Sequence, residues 1–209
     1  METGQAYDLW ASQYDSNDNK TRDLEARALR ESLAPMPFDR CLEIGCGTGK
    51  NTAWLMEKVK EVTAVDLSEE MLARARQKIN SEKVHFIQAD ISNDWVFAKG
   101  LYGLVGFSLV LEHIEDLGPV FKKTAAVLKP GGHVYIGELH PFKQYTGSKA
   151  RFETEQGLEV VNCFNHHVSD FVREATRYGL VLAGIHEYFD NDDRQGIPRI
   201  LVILLQKSE

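Results

Sequence analysis

The chain has 209 residues, three cysteines and a formal net charge of −7, and this length fits a single domain over residues 1–209 that needs neither disulfides nor metals to support its core. The acidic balance without a clustered basic stretch argues against a nucleic-acid partner, and the lack of a long apolar run or a signal peptide argues against a membrane partner. Cys41, Cys46 and Cys163 are odd in number and lack metal-ligand spacing, so we expect free thiols, a cytoplasmic location and no metal site.

The first part of the chain carries three aromatic residues, Tyr7, Trp10 and Tyr14, which are spaced three and four positions apart. On a helix this spacing places the three rings on one face. That face either packs on the domain or covers a bound ligand, and both interpretations are kept.

From residue 40 onward the chain alternates strand and helix patterns, which indicates an α/β fold with a mostly parallel sheet. Residues 40–44 and 61–66 are predicted to be buried strands, with a helix over 51–58 between them. Ser68 is the expected N-cap of the next helix. The apolar face of that helix consists of Met71, Leu72, Ala75 and Ile79.

Two further strands are predicted at 84–88 and 104–111, followed by a helix at 119–128 and a strand at 133–139. The helix should end before the Pro-Gly-Gly segment at 130–132, because proline followed by two glycines is a strong helix breaker. These elements complete a run of five strands joined by helices.

Beyond the fifth strand the periodicity is lost over residues 140–165, which we interpret as an insertion over the sheet. A helix is predicted at 169–178, and two final strands at 180–188 and 197–206. The apolar run 200–205 is too continuous for an edge exposed to water, so the last strand is expected inside the sheet.

Glycines stand at alternate positions 45, 47 and 49 after the first strand, with Glu43 two residues ahead of them. Glycine lets the backbone turn sharply and lets a ligand approach main-chain N–H groups closely. The dinucleotide fingerprint places its third glycine where this chain has Lys50. The acid-x-Gly-x-Gly-x-Gly segment instead resembles the first motif of class I S-adenosylmethionine (SAM) dependent methyltransferases. An acid suits that cofactor, which carries an ammonium and a sulfonium.

The Leu-Glu-His segment at 111–113 and the aromatic segment at the N-terminus resemble the same family. The resemblance implies a Rossmann-like seven-stranded, mostly parallel sheet with an antiparallel C-terminal strand pair and helices on both faces. It also implies SAM as the cofactor, S-adenosylhomocysteine (SAH) as the product and a small molecule as the methyl acceptor. Residues 1–30 would form lid helices, and residues 140–165 would cover the acceptor pocket.

By this resemblance the cofactor lies at the carboxyl ends of the strands, where open α/β sheets bind their ligands. Asp66 would accept the ribose hydroxyls, and Asp90, with Ile91 beside it, would hold adenine. The alternative for either acid is a structural role at the start of a helix or turn. The expected cofactor-binding residues are Tyr14, Glu43, Gly45, Cys46, Gly47, Gly49, Asp66, Leu67, Asp90, Ile91 and Ser108.

Oxygen acceptors and protonated nitrogen acceptors must lose a proton before they attack the methyl group, so we expect a base near the acceptor. The candidates at the carboxyl ends of strands are Glu112, His113, Glu138 and His140. His140 is our first choice as catalytic residue and His113 the second, while a structural hydrogen bond is the commoner role of a single histidine.

Three other functions stay open. A nicotinamide oxidoreductase would require glycine in place of Lys50. A regulatory protein that binds SAM without turnover is consistent with Gly103, where the family commonly has an acid. A protein methyltransferase would need an open groove in place of a closed pocket. The acceptor atom stays open between oxygen, nitrogen and carbon.

Overall fold

The computed structural model describes residues 2–154 and 157–208. A seven-stranded sheet lies at its centre. The strands of this sheet are β1 Arg40–Ile44, β2 Glu61–Asp66, β3 Val84–Gln88, β4 Tyr102–Ser108, β5 Leu128–Leu139, β8 Leu180–Tyr188 and β9 Ile200–Lys207. A separate hairpin consists of β6 Arg151–Thr154 and β7 Gly157–Val160. The helices are α1 Thr3–Trp10, α2 Lys20–Leu33, α3 Lys50–Lys58, α4 Glu69–Lys78, α5 Leu117–Val127, α6 Pro141–Tyr145 and α7 Val168–Thr176.

The strand order of the large sheet is β3-β2-β1-β4-β5-β9-β8. The first five strands pair in parallel, and β9 lies antiparallel between β5 and β8. The predicted architecture, a mostly parallel sheet with an antiparallel C-terminal pair, is therefore confirmed. The apolar run 200–205 is fully buried because β9 has a strand on each side.

Helices cover both faces of the sheet, because alternate residues of its buried strands point in opposite directions. Val105 and Phe107 of β4 pack into the core under α5 and α7, whereas Leu104 packs into the core under α2, α3 and α4. Ser68 caps α4 as expected, since its hydroxyl accepts a hydrogen bond from Met71 N–H at 3.1 Å.

Three predicted strand boundaries are wrong by three residues or more. β4 ends at Ser108 and does not reach 111, because Leu109 takes a left-handed conformation (φ 56°) and a 3₁₀ turn follows at Leu111–His113. β5 begins at Leu128 and not at 133, since Leu128 pairs with Tyr102 ahead of a register shift. The last strand begins at residue 200 and not at 197.

The segment 140–165 is more regular than its sequence indicates, since it contains α6 and the β6–β7 hairpin. The hairpin packs on the N-terminal helix, where Phe152 stacks on Trp10 with ring centroids 5.1 Å apart. Residues 155 and 156 of this segment, and residues 1 and 209 of the predicted domain, lie outside the described residues. No helix in the described ranges is both long and apolar enough to cross a membrane.

Candidate functional site

A cavity of about 530 Å³ lies at the carboxyl ends of β1 to β4, beneath α1. This is the edge of the sheet where the sequence places the ligand. Nine residues that we predicted for the site are among its lining: Tyr14, Gly45, Gly47, Asp66, Leu67, Asp90, Ile91, Ser108 and His113. The structure therefore brings together segments that are up to a hundred residues apart in the chain.

The glycine turn after β1 forms one wall of the cavity. The N–H groups of Gly45 and Cys46 donate to the Val65 carbonyl at 2.8 and 3.0 Å, which fixes the turn against β2. Gly45 has φ +74°, and a Cβ there would lie 2.7 Å from Val110 Cγ2. A larger residue would therefore collide with the segment that follows β4, so the need for glycine at this position is steric as well as conformational.

Asp66 at the end of β2 holds the same turn from the other side. Its Oδ2 accepts a hydrogen bond from Gly47 N–H at 2.7 Å, and its Oδ1 accepts one from Ser68 N–H at 2.9 Å. Burial raises the pKa of this carboxyl, and the backbone hydrogen bonds act in the opposite direction. Each oxygen has a second lone pair, so Asp66 can accept two hydroxyl donors from the cavity while it fixes the turn.

Asp90 has the structural role that was one of its two alternatives, and its role towards adenine stays a prediction. It lines the cavity, and its Oδ1 also accepts a hydrogen bond from Ser92 N–H at 2.8 Å, which closes the short turn after β3. The side chain of Asp90 is exposed, whereas that of Ile91 is buried. The pair therefore presents a carboxylate and an apolar surface next to each other.

A smaller pocket of about 40 Å³ adjoins the glycine turn, with Glu43 and Cys46 in its lining. Thr52 donates its hydroxyl hydrogen to Glu43 at 2.6 Å, and burial raises the pKa of Glu43 to about 8. Six residues of this pocket were not predicted as site residues: Arg22, Glu25, Thr48, Lys50, Asn51 and Leu109.

Glu25 lies on the buried face of α2 and accepts hydrogen bonds from Asn51 Nδ2 at 2.9 Å and from the Tyr135 hydroxyl at 3.0 Å. Its position, four residues before Leu29 and eight before Leu33 on the apolar face, was the available signal. A carboxyl at such a position must be paired or bound to something. Asn51 Oδ1 is buried without a hydrogen-bond partner in the described structure.

Gly49 is absent from the described lining of both pockets. It precedes α3 with φ +83°, and a Cβ there would lie 2.9 Å from Ile79 Cδ1. In the structure this glycine lets α3 and α4 approach each other closely. Its predicted contact with a cofactor is not supported by its position.

His113 faces the cavity with both ring nitrogens hydrogen-bonded. Nε2 lies 2.9 Å from the hydroxyl of Tyr7 on α1, and Nδ1 lies 2.8 Å from the carbonyl oxygen of Asn162. A ring that donates from Nδ1 to this carbonyl can accept the Tyr7 hydrogen at Nε2. The imidazole therefore has a fixed orientation in the wall of the cavity.

His140 has a different environment from the one expected for a base. Its Nδ1 accepts a hydrogen bond from Phe142 N–H at 3.1 Å, which caps α6, and its Nε2 lies 3.1 Å from Glu187 Oε1. Burial lowers the pKa of the imidazole, and the Glu187 carboxylate opposes this effect. His140 is buried and is absent from the described lining of either pocket.

Glu138 supports the cavity wall from behind. Its Oε1 accepts hydrogen bonds from the N–H groups of Val110 at 3.0 Å and Leu111 at 2.8 Å, and burial raises its pKa to about 8. This carboxyl fixes the segment between β4 and His113, where Leu109 has its left-handed conformation. Its contacts are therefore with backbone groups of the wall.

The N-terminal helix α1 packs on the domain beside the cavity, and its role as a cover over a bound ligand stays a prediction. α1 ends at Trp10, so Tyr14 lies beyond the helix and the three rings do not share one helical face. Tyr7 and Tyr14 line the cavity, and Trp10 is buried against Phe152. Asp8 accepts a hydrogen bond from the Ser68 hydroxyl at 2.5 Å, which connects α1 to the start of α4.

The charge of the cavity favours a cationic ligand. Its described lining includes four carboxylates and no lysine or arginine, and the four acids are Glu2, Asp8, Asp66 and Asp90. Opposite charges attract more strongly in a partly enclosed site than in water. A ligand with a positive centre is therefore preferred over a pyrophosphate.

Comparisons with known proteins agree with this geometry. A family model described as a methyltransferase domain matches residues 42–136. The chain is 34% identical over 137 residues to the biotin biosynthesis bifunctional protein BioHC of Cellvibrio japonicus, which is 66% of this chain and 27% of that protein. It is 30% identical over 139 residues to the ubiquinone biosynthesis O-methyltransferase of Vibrio parahaemolyticus, which is 65% of this chain and 58% of the relative.

A solved structure of similar architecture is the N-methyltransferase NodS from Bradyrhizobium japonicum in complex with SAH. It has a TM-score of 0.75 and 20% identity, and the match covers 100% of both chains. At this identity the similarity concerns the fold. The matches to BioHC and to the Vibrio enzyme span less than two thirds of the length of either relative.

Proposed function

We propose that this protein transfers the methyl group of SAM to a small-molecule acceptor and releases SAH, since residues 42–136 match a methyltransferase-domain model and the chain has the fold of the SAH-bound methyltransferase NodS. The observation that carries the proposal is the acidic cavity between the glycine turn, Asp66 and Asp90, closed by α1.

In this proposal the nucleoside part of SAM occupies the larger cavity. Asp66 accepts the ribose hydroxyls on its free lone pairs, and adenine lies against Ile91 with its amino group near Asp90. The absence of side chains at Gly45 and Gly47 allows close approach to the turn. The negative charge of the described lining stabilises the sulfonium.

The amino-acid part of SAM is proposed to extend into the smaller pocket. Asn51 Oδ1, which has no other partner, and the Glu25 carboxyl can accept from the ammonium group. Arg22 stacks on the Tyr14 ring at 4.5 Å and presents a guanidinium that can bind the carboxylate. These contacts explain why a buried carboxyl is kept on the apolar face of α2.

We propose a small acceptor because contacts of Tyr7, Asp8 and Trp10 hold α1 across part of the cavity, which favours a small molecule over a protein chain. Catalysis then depends mainly on alignment, since holding two reactants in near-attack geometry contributes roughly 7–11 kcal/mol. We propose His113, the imidazole that lines the cavity, in place of His140 as the group that orients the acceptor. The name of the Vibrio relative favours an oxygen acceptor.

The departure at Gly103 does not affect this site. Gly103 lies near the amino end of β4, where a Cβ would be 3.2 Å from Asp39 Oδ1. The cavity lies at the opposite end of the same strand. The observation that favoured a binding protein without turnover is therefore remote from the cofactor residues.

The test is a calorimetric titration of the purified protein with SAM, SAH and NAD, followed by a screen of phenolic, carboxylic and amine acceptors with detection of SAH release. We expect binding of both sulfur nucleotides in the micromolar range or tighter, no binding of NAD, and SAH release that depends on one acceptor class. Preference for NAD would refute the methyltransferase proposal. Sulfur-nucleotide binding with turnover only on protein substrates would refute the small-molecule part.

A further inference from the structure

The side chains of Glu112, His113 and Cys163 lie close together, and each has an atom that can bind a metal ion. Cys163 Sγ lies 3.9 Å from His113 Nδ1, and Glu112 Oε1 lies 4.0 Å from His113 Nε2. The three residues can each offer one ligand atom within 4.8 Å of the other two. The sequence did not indicate this cluster because its members come from two segments about fifty residues apart.

The two segments are held together by backbone groups, so the cluster is preorganised. Phe164 N–H donates to the Glu112 carbonyl at 2.7 Å, and His166 Nε2 lies 2.7 Å from the Ile114 carbonyl. These bonds pair residues 112–114 with 164–166. The positions of the three side chains therefore do not depend on flexible loops.

One atom of the cluster lacks a partner. Glu112 is 5% exposed, and its Oε2 has no hydrogen bond among the described residues. A buried carboxylate oxygen without a donor is costly unless it is protonated or binds a cation. From this geometry we propose that Glu112, His113 and Cys163 form a Zn²⁺ site at the acceptor side of the cavity.

The donor set and the spacing fit zinc. Carboxylate, imidazole and thiolate are its usual ligands, with bonds of about 2.0–2.3 Å, so tetrahedral ligand atoms lie about 3.3–3.8 Å apart. The observed separations of 3.9 to 4.8 Å require a contraction of at most about 1.5 Å. Zn²⁺ binding at Nδ1 would replace the hydrogen bond of this nitrogen to the Asn162 carbonyl. Nε2–H could then donate to the Tyr7 hydroxyl at 2.9 Å, the outer hydrogen bond that metal-bound histidines generally make.

Three protein ligands leave a fourth position open, as in catalytic zinc sites. His113 and Asn162 line the cavity, so this position faces the acceptor. This part of the inference rests on the proposed function: the zinc ion binds a hydroxyl or thiol acceptor and favours its ionised form. The acceptor releases its proton to solvent, its oxygen or sulfur forms the bond to the methyl carbon, and the electron pair of the broken carbon–sulfur bond passes to the sulfur of SAM.

The first test uses the full-length protein after dialysis against a chelator, without SAM, and titrates it anaerobically with Co²⁺. A site that contains Cys163 will give a near-ultraviolet thiolate-to-cobalt charge-transfer band that saturates at one equivalent and disappears when Zn²⁺ is added. Cys163→Ser and Glu112→Gln should lower Zn²⁺ affinity by more than about 100-fold, and Tyr7→Phe by about 10- to 100-fold.

Cys41→Ala is the matched control, because Cys41 is a buried cysteine outside the cluster, and this variant should keep the cobalt band. SAH binding by each variant, measured by calorimetry, shows that the protein is folded and tests the cofactor site separately. No thiolate band in the wild type, or an unchanged band in Cys163→Ser, would overturn the zinc proposal while leaving the methyltransferase proposal intact. Failure of the wild type to bind SAH would overturn the methyltransferase proposal and leave the zinc proposal intact.

Discussion

Replacement of Asp66 by asparagine tests the cofactor site most directly. The carboxylate accepts hydrogen bonds from Gly47 N–H at 2.7 Å and from Ser68 N–H at 2.9 Å, and in our proposal it accepts the ribose hydroxyls as well. Asparagine keeps the shape and one acceptor oxygen but places an amide NH₂ where the second oxygen was. A hydrogen bond to a charged group contributes about 1.5–3 kcal/mol, so SAH affinity should fall by about 10- to 150-fold.

The assay is calorimetric titration of SAH into the wild type, Asp66→Asn and Asp39→Asn. Asp39 is a suitable control because its exposed carboxyl pairs with Lys129 at 2.7 Å, away from the cavity, and this variant should bind SAH as the wild type does. Thermal unfolding without ligand separates a loss of contact from a loss of structure. Wild-type affinity in Asp66→Asn would refute the ribose role of Asp66.

Three further predictions concern stability and motion. Burial raises the pKa of Glu43 to about 8, so the folded protein retains a proton that the unfolded chain releases above about pH 4.5. The free energy of unfolding should therefore fall by about 4 kcal/mol as the pH rises to 8. In urea unfolding, the Glu43→Gln variant should lack this part of the pH dependence. Gly49→Ala places a Cβ 2.9 Å from Ile79 Cδ1 at φ +83° and should lower the free energy of unfolding by about 2–4 kcal/mol. Gly131→Ala, at φ +71° with no atom within 4 Å, should lower it by only about 1–2 kcal/mol. Equal decreases in the urea midpoints of the two variants would contradict the steric argument. Trp10→Ala removes the ring that stacks on Phe152 and should speed amide hydrogen exchange in α1 without changing exchange in the central strands; unchanged exchange in α1 would show that this contact does not hold the helix closed.

Much of the fold could be predicted from local patterns. Apolar strands that alternate with helical periodicity specify a parallel sheet, and the continuous run 200–205 specified an internal strand. The end of β4 was predicted wrongly because Leu109 has φ 56°, a conformation that the sequence does not indicate for a non-glycine residue. That conformation is maintained by long-range contacts, the hydrogen bonds of Glu138 to Val110 and Leu111 among them.

In the candidate site, too, some residues could be located from local patterns and others depend on long-range contacts. The glycine turn, Asp66 and Asp90 could be located because they end consecutive strands, and such ends meet at one edge of the sheet. Histidines could not be ranked in this way, because a strand end places a residue near the site without fixing the direction of its side chain. His140 turns back to cap α6, whereas His113, on the turn after β4, faces the cavity.

The sequence alone therefore determined the class of fold, and it predicted the edge of the sheet for a ligand and the kind of cofactor that suits an acid followed by alternate glycines. These properties depend on residue type and short-range spacing. Only the tertiary structure decided which residues meet: the buried Glu25 beside Asn51, the closure by Tyr7, and the approach of Cys163 to Glu112 and His113. Such contacts join distant segments, and their geometry is set by packing between elements, which no local pattern encodes.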